Sequence, residues 1–241
     1  MVRTSIVLPV YNCAANLDKG LASLKPFLQG LTIEYEVIIV DDGSATQPDI
    51  AEIAKRHNCR FIPHATNRGK GAAVKSGVLA ATGDIIIFMD GDFPFHLSAI
   101  STMINTLTLG GAEVVIGDRT LEQSQYPENI NAYRKAGSKL LSLIISKFYV
   151  YGFRDTQCGI KGFTAMAARE IFGRVTLRRF SFDVEVLFIA RKNGYKISRI
   201  PVQVYEQASS SVRVMKDGMA MLLSLAGIFF NNVAGKYRID E

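Results

Sequence analysis

Asp84-Ile-Ile-Ile-Phe-Met-Asp-Gly-Asp92 is the stretch on which the fold turns. Its centre, Ile85 to Met89, is apolar without interruption. A strand with one wet face alternates apolar and polar residues, whereas an unbroken apolar run belongs to a strand covered on both faces. The run then stops abruptly in two carboxylates and a glycine. Moving outward, the same pattern recurs. Ser5 to Val10 ends in Tyr11-Asn12, and Tyr35 to Val40 ends in Asp41-Asp42-Gly43-Ser44. Arg60 to Pro63 and Glu113 to Gly117 read as two further strands. Helical patterns fill the intervals, over residues 16–28, 47–57, 70–81 and 96–107. Strand–helix alternation of this kind predicts an α/β fold built on a mainly parallel sheet. Ligands of such sheets bind beyond the carboxyl ends of the strands. Three of the five predicted strands end there in polar or acidic residues, which places a candidate site at that edge.

The second half is less regular. Ala132 to Tyr149 reads as an amphipathic helix, with Arg134, Lys135, Ser138, Lys139, Ser142 and Ser146 on one arc and Leu140, Leu143, Ile144 and Phe148 opposite. Asp183 to Lys192 predicts another helix, stopped by Gly194. Ile197 to Val204 predicts a strand, Gln207 to Ser211 a mobile loop, and Val212 to Val233 a mostly apolar helix. The expected division is a catalytic domain over 1–205 and a loop plus apolar helix over 206–241.

Composition narrows the partners without choosing one. Of 241 residues, 48% are hydrophobic and 21% charged, which excludes a disordered or fibrous chain. Lys and Arg number 28 against 22 Asp and Glu, and this +6 excess suits an anionic partner. No basic tract interleaved with aromatics is present, so nucleic-acid binding is not expected. Cys13, Cys59 and Cys158 have no CxxC spacing, which fits reduced thiols better than a zinc site or disulfide framework. Met1 to Ser5 lead straight into an apolar strand rather than a leader. The longest nearly apolar run, Met219 to Phe230, is too short as a helix to cross a bilayer core of about 30 Å. The expectation is a cytoplasmic protein peripheral to a membrane.

The strand ends carry the candidate chemistry. Asp90 and Asp92, two positions apart around a glycine, can converge on one divalent cation of the hard, oxygen-seeking kind, Mg²⁺ or Mn²⁺. Asp41 and Asp42 can accept hydrogen bonds from a base or ribose, or can simply make a turn or cap a helix. Asn67-Arg-Gly-Lys-Gly71 opens a helix with glycines and a cation, a surface suited to phosphate, yet its spacing matches neither a P-loop nor a dinucleotide fingerprint. Arg119, Arg134, Ser138 and Arg213 are phosphate-binding candidates, and Arg134 and Ser138 share a helix face at i and i+4. His57, His64 and His96 show no metal spacing.

Taken together, Val10-Tyr-Asn12, Asp41-Asp-Gly-Ser44, Asn67-x-Gly-Lys-Gly71, Asp90-x-Asp92, Asp155-Thr-Gln-Cys-Gly159 with Lys161 and Phe163, and Phe182-Asp-Val-Glu185 carry a resemblance. The chain resembles glycosyltransferase family two, over about residues 3 to 215. Within that family it is similar to the polyprenyl- and dolichyl-phosphate sugar synthases, those for glucose ahead of those for mannose. The resemblance implies a GT-A type, Rossmann-like, mainly parallel sheet with helices on both faces. It also implies an inverting, Mg²⁺- or Mn²⁺-dependent transfer of a hexose from a nucleoside-diphosphate sugar to a polyprenyl or dolichyl phosphate. UDP-glucose is the favoured donor and GDP-mannose the next. Pro9, Tyr11, Asp41, Asp42 and Lys70 would lie against the nucleotide, and Asp90 and Asp92 would hold the metal. Arg119, Arg134 and Ser138 would grip the acceptor phosphate, with Arg213 near the donor diphosphate. Gln157 and Asp183 would line the sugar pocket. The chain departs from the family pattern at Cys13, where a glutamate is usual, and in Phe93-Pro-Phe-His96 after the paired aspartates. Many relatives also carry C-terminal transmembrane helices.

A phosphate monoester is largely dianionic at neutral pH, so such an acceptor needs positioning and charge relief rather than a strong base. Asp183 becomes necessary as a base only for a neutral hydroxyl acceptor. The stretches 132–149 and 212–233 would lie in a membrane interface, or else pack in the core or a homodimer interface. Two other functions stand beside this one. The first is a family-two transferase acting on a soluble or glycan hydroxyl. The second is a catalytically inactive nucleotide-sugar-binding subunit of an envelope assembly, against which the intact Asp90 and Asp92 speak.

Overall fold

The structure is a computed structural model; it describes residues 2–45, 49–125, 145, 149–179, 181–205 and 214–239, without the side chains of 214–222. Seven strands form one sheet in the order β3-β2-β1-β4-β6-β5-β7. They are β1 (Arg3–Val10), β2 (Glu34–Asp41), β3 (Arg60–Pro63), β4 (Ile85–Met89), β5 (Val114–Gly117), β6 (Ile160–Thr164) and β7 (Ile197–Ile200). β6 runs antiparallel to both β4 and β5, and the other pairings are parallel. The five strands expected in the first half are all present, and so are the four helices between them.

Both faces of the sheet are covered, as the unbroken apolar strands require. Successive side chains of β1 go to opposite cores: Ile6, Leu8 and Val10 to one, Val7 to the other. The first core is closed by α1 (Ala14–Gly30), α2 (Ile50–Arg56) and α4 (Ser98–Thr108). In α1, Leu17, Leu21, Leu24 and Leu28 recur at helical spacing and are wholly buried. The second core lies under α3 (Lys70–Ala80), α5 (Ala165–Arg174), α6 (Phe182–Lys192) and α7 (Val214–Val233). Gly77 lets α3 approach the sheet closely, because a Cβ there would sit 2.3 Å from a methyl of Val7.

Three details differ from the sequence reading. The predicted strand Ile197–Val204 ends at Ile200, where Pro201 has no N–H for a ladder; only isolated bridges at Gln203 and Val204 continue it. β6 was not foreseen, because Lys161 and Gly162 interrupt its apolar character. α5, which follows β6 directly, was not foreseen either; it is capped by the Thr164 side chain. The C-terminal helix docks on the same core as the rest, through Leu225 and Ile228, and Tyr237 beyond it is wholly buried. Among the described residues no helix is long and apolar enough to cross a membrane. Except for Ile145 and Tyr149, the predicted helix over 132–149 lies outside the described residues, as do the Gln207–Ser211 loop, Arg134, Ser138 and Arg213.

Candidate active site

The carboxyl ends of β1, β2 and β4 and the first turn of α3 meet at one edge of the sheet. Asp90 and Asp92 follow β4. The Asp90 N–H donates to the Gly159 carbonyl at the head of β6 (3.0 Å), and the Gly91 N–H to the Pro9 carbonyl at the end of β1 (3.3 Å). The chain then turns back sharply: Phe93 has φ +53°, a conformation that bulky residues rarely adopt. Its ring rests on Gly20 of α1, where a Cβ would lie 2.0 Å from the ring. Neither aspartate is fully buried. Among the described residues no cluster of three or more His, Cys, Asp or Glu forms a complete metal cage. Two carboxylates are a donor set that suits Mg²⁺ or Mn²⁺, which take remaining ligands from water and substrate phosphate.

The β1 and β2 ends are laced together. Asn12, at φ +52°, donates its N–H to the Ser44 hydroxyl (2.9 Å), and its side-chain oxygen accepts from the Ala45 N–H (2.9 Å). Tyr11 beside it is exposed. Asp41 accepts from the Ser44 N–H (3.0 Å), so part of its carboxylate closes the turn. Asp42 is almost wholly buried and heavily engaged. It accepts from the N–H groups of Arg68 (2.9 Å) and Gly69 (2.7 Å), and from His64 Nδ1 (2.7 Å). The other ring nitrogen, His64 Nε2, is hydrogen-bonded to the Ser76 hydroxyl (3.0 Å). Asp42 thus anchors the segment that starts α3.

That segment delivers Lys70, whose ammonium lies 2.6 Å from Asp90 Oδ1. Beneath it, Lys161 of β6 is ion-paired with Asp183 of α6; both are buried, Asp183 being 2% exposed. Lys161 also donates to the Cys158 carbonyl (2.8 Å) and lies 5.4 Å from the centre of the Phe88 ring. Burial raises the Asp183 carboxyl above the usual range, against the pull of Lys161 and Lys70. Burial works against the Lys70 charge, yet Asp90, Asp183 and Asp92 hold its pKa above that of an ordinary lysine. The signs alternate: Lys161, Asp183, Lys70, Asp90. Burial pushes the Cys13 thiol up to about 11, and the fields of Asp92, Asp90 and Asp41 add to that effect. The three carboxylates therefore act on one place.

Arg119, after β5, presents Nε and Nη2 to the two oxygens of Asp155 (2.8 Å each), and its N–H donates to Asp155 as well (2.8 Å). Burial opposes the Asp155 charge, but Arg119 holds the carboxyl below its ordinary value. Gln157 sits half-buried in the turn before β6.

Residues 5–173 match the family profile described as "Glycosyl transferase family 2". The chain belongs to glycosyl transferase family 2. It is a glycosyltransferase of the GT-A fold, as the resemblance carried by its motifs implied. Among curated relatives, a dolichyl-phosphate beta-glucosyltransferase of Trichomonas vaginalis is 31% identical over 88% of this chain and 69% of its own length. The human dolichyl-phosphate beta-glucosyltransferase is 29% identical over 98% of this chain and 78% of its own. Among solved structures, glucosyl-3-phosphoglycerate synthase of Mycobacterium tuberculosis with uridine diphosphate superposes at TM-score 0.69, covering 100% of this chain and 82% of that one at 17% identity. The same enzyme has been crystallised with Mn²⁺ and UDP-glucose (TM-score 0.68, 19% identity, 94% and 79% covered).

Several residues that shape this family-2 site went unforeseen by sequence. His64 carried no metal spacing, and its role depends on Asp42 from another strand. Asp155 and Lys161 were visible only as parts of a recognised segment, not as partners of Arg119 and Asp183. Gly159 owes its importance to a contact with Asp90 that no local pattern announces.

Proposed function

We propose that the chain transfers glucose from UDP-glucose, with inversion, to dolichyl phosphate or a related polyprenyl phosphate, in a reaction that requires Mg²⁺ or Mn²⁺. The observation carrying this reading is its similarity, over nearly the whole chain, to several dolichyl-phosphate beta-glucosyltransferases, with Asp90 and Asp92 in place at the end of β4.

Asp90 and Asp92 would hold the metal. When bound, it would neutralise the departing diphosphate. Lys70 would add a second cation on the diphosphate side, aimed by the Asp42 anchor and α3's first turn. The exposed Tyr11 ring and the Asp41 carboxylate would face the nucleoside, while Pro9 supports the aspartate loop through its carbonyl. Gln157 is assigned to the sugar. Arg119, Arg134, Ser138 and Arg213 are assigned to phosphates, where the three arginines would relieve repulsion between two anionic substrates. In this reading Asp183 removes no proton. Its carboxylate is buried against Lys161, and a dianionic phosphate needs no base.

The acceptor is a lipid, so the site must work near a membrane. The outer side of α7 presents Leu223, Phe229, Phe230 and Val233 to solvent, and exposed Arg191, Lys192, Lys236 and Arg238 stand near it in the sequence or the fold. Apolar residues flanked by cations suit an anionic, cytoplasmic-facing bilayer surface.

The deciding experiment offers labelled UDP- and GDP-sugars with dolichyl phosphate in liposomes, with Mn²⁺, Mg²⁺ or EDTA. Metal-dependent label from UDP-glucose in the lipid phase is expected. Label from GDP-mannose alone would overturn the donor. Consumption of a donor only with a soluble hydroxyl acceptor would overturn the lipid-phosphate reading.

A further inference from the structure

Asp183 and Glu185 stand two positions apart on α6 and therefore point to different sides of it. Asp183 faces Lys161. Glu185 faces a second buried network that joins the C-terminal end of the chain to the loop before α6. Glu185 is wholly buried. Its Oε1 accepts from the Thr176 hydroxyl (2.7 Å), the Thr176 N–H (3.1 Å) and the Tyr237 hydroxyl (2.5 Å). Its Oε2 accepts from the N–H groups of Thr176 (3.0 Å) and Leu177 (2.8 Å). Tyr237 is wholly buried too, and Asn231 at the end of α7 donates both to its hydroxyl (3.2 Å) and to the Thr176 hydroxyl (3.1 Å). A buried carboxylate is costly unless it is fully hydrogen-bonded, and these donors supply the bonds.

The loop so anchored touches the site. The Arg178 carbonyl accepts from the Ala72 N–H in the first turn of α3 (3.2 Å). It also occupies the space that a side chain at Gly69 would need, 2.4 Å from an ideal Cβ. Gly71 is pressed in the same way against the Leu177 carbonyl (2.8 Å) and Phe182 (2.7 Å). Between these two glycines stands Lys70, which reaches Asp90. Asp42 holds the start of α3 from the β2 side; the 176–178 loop holds it from the other.

We propose that Tyr237 is a positioning residue for the glycosyl transfer: its hydroxyl fixes Glu185, Glu185 fixes Thr176 and Leu177, and their loop seats Gly69–Ala72 so that Lys70 meets Asp90. The segment following α7 then belongs to the catalytic unit, and a boundary at residue 205 would cut through a single hydrogen-bonded network. The proposal rests on the reading of Lys70 and Asp90 as the nucleotide-diphosphate site.

The test compares Tyr237→Phe and Thr176→Val with wild type, using Leu109→Ser, exposed just after α4, as a control. Two quantities are read. One is amide hydrogen exchange in peptides spanning 67–74. The other is affinity for UDP with Mn²⁺, by calorimetry. Each variant loses two buried hydrogen bonds, one to Glu185 and one from Asn231, which should speed exchange at Ala72 and weaken UDP about three- to tenfold, and the double variant should fall short of the product of the two. Leu109→Ser should change neither. If Tyr237→Phe loosens only 225–239, with exchange over 67–74 and UDP affinity unchanged, Tyr237 is merely structural and the proposal falls. If wild type does not bind UDP, the nucleotide reading fails, while the exchange data still decide the positioning role. Should Tyr237→Phe not fold, Thr176→Val decides the same question, since it breaks the network from the loop side.

Discussion

Gly159→Ala isolates the geometry of the aspartate centre from the stability of the fold. An ideal Cβ on residue 159 would lie 2.0 Å from Asp90 Oδ2, 2.6 Å from its Cγ and 3.1 Å from Oδ1. Ordinary contact begins near 3.4 Å, so the carboxylate must retreat by about 1.4 Å, the difference of 3.4 and 2.0. The backbone on either side cannot give way instead: the Gly159 carbonyl accepts the Asp90 N–H at 3.0 Å, and the next residue, Ile160, is paired with Met89. The Asp90 side chain can rotate aside, so the fold should survive with a small loss. The 2.6 Å contact to Lys70 and the approach to a metal cannot survive that rotation. Misplacing a reacting group by about 1 Å can cost a factor of about 100 in rate. The assay is initial rate of transfer from UDP-glucose to dolichyl phosphate with Mn²⁺, alongside thermal melting and Mn²⁺ binding by paramagnetic resonance. The expected result is a rate lower by about two orders of magnitude, weakened Mn²⁺ binding and a melting temperature within a few degrees of wild type. The control is Gly173→Ala at the end of α5, where a Cβ would meet nothing within 4 Å. A Gly159→Ala enzyme within threefold of wild type would refute the argument that this glycine exists to seat Asp90.

The charged pairs yield further predictions. Lys161→Met strands Asp183 in the core, and should lower stability by about 3–5 kcal/mol in a urea titration, with part of the loss recovered in Lys161→Met/Asp183→Leu. An unchanged midpoint would show that the pair is not a buried ion pair in solution. Asp92→Asn should weaken Mn²⁺ at least about tenfold, and EDTA should abolish transfer; activity surviving both would remove the metal from the reaction. Asp155 has a folded pKa below its unfolded value, so the Arg119–Asp155 pair contributes stability above about pH 4 and loses it as pH falls through the lower, folded value. The stability gap between wild type and Asp155→Asn should therefore be widest near neutrality and narrow in acid. A gap independent of pH would contradict that assignment. His64→Leu leaves two backbone N–H groups as the remaining partners of Asp42, and should speed hydrogen exchange at Arg68 and Gly69.

The metal reading and the Tyr237 network meet at α3. Lys70 is held from three directions: by Asp90, by Asp42 through the preceding N–H groups, and by the 176–178 loop through Ala72. Such over-determination is what a site needs to present a cation within a fraction of an ångström, because each support alone contributes only about 1 kcal/mol.

The amino-acid sequence by itself determined the parallel strands of the sheet and its working edge. Unbroken apolar runs at Ile85–Met89 and in β1 and β2 can be buried only when both faces are covered, and this alone demands helices on either side. The polar residues closing those runs marked the edge where Asp41, Asp90 and Asp92 meet. These are short-range facts, written in consecutive residues. Tertiary structure alone decided which charged residues belong together. Lys161 reads as a break in a strand until Asp183, 22 positions away, is seen beside it. Asp42 reads equally well as a base ligand or a turn until His64 and the Arg68 and Gly69 N–H groups are found on it. Tyr237 reads as part of a tail until Glu185 receives its hydroxyl, 52 residues apart. Apolar periodicity is imposed on every residue of an element by the solvent, so it repeats and can be read locally. A buried ion pair or hydrogen bond satisfies two particular atoms once, across whatever stretch of chain the fold happens to close, and leaves no repeat to read.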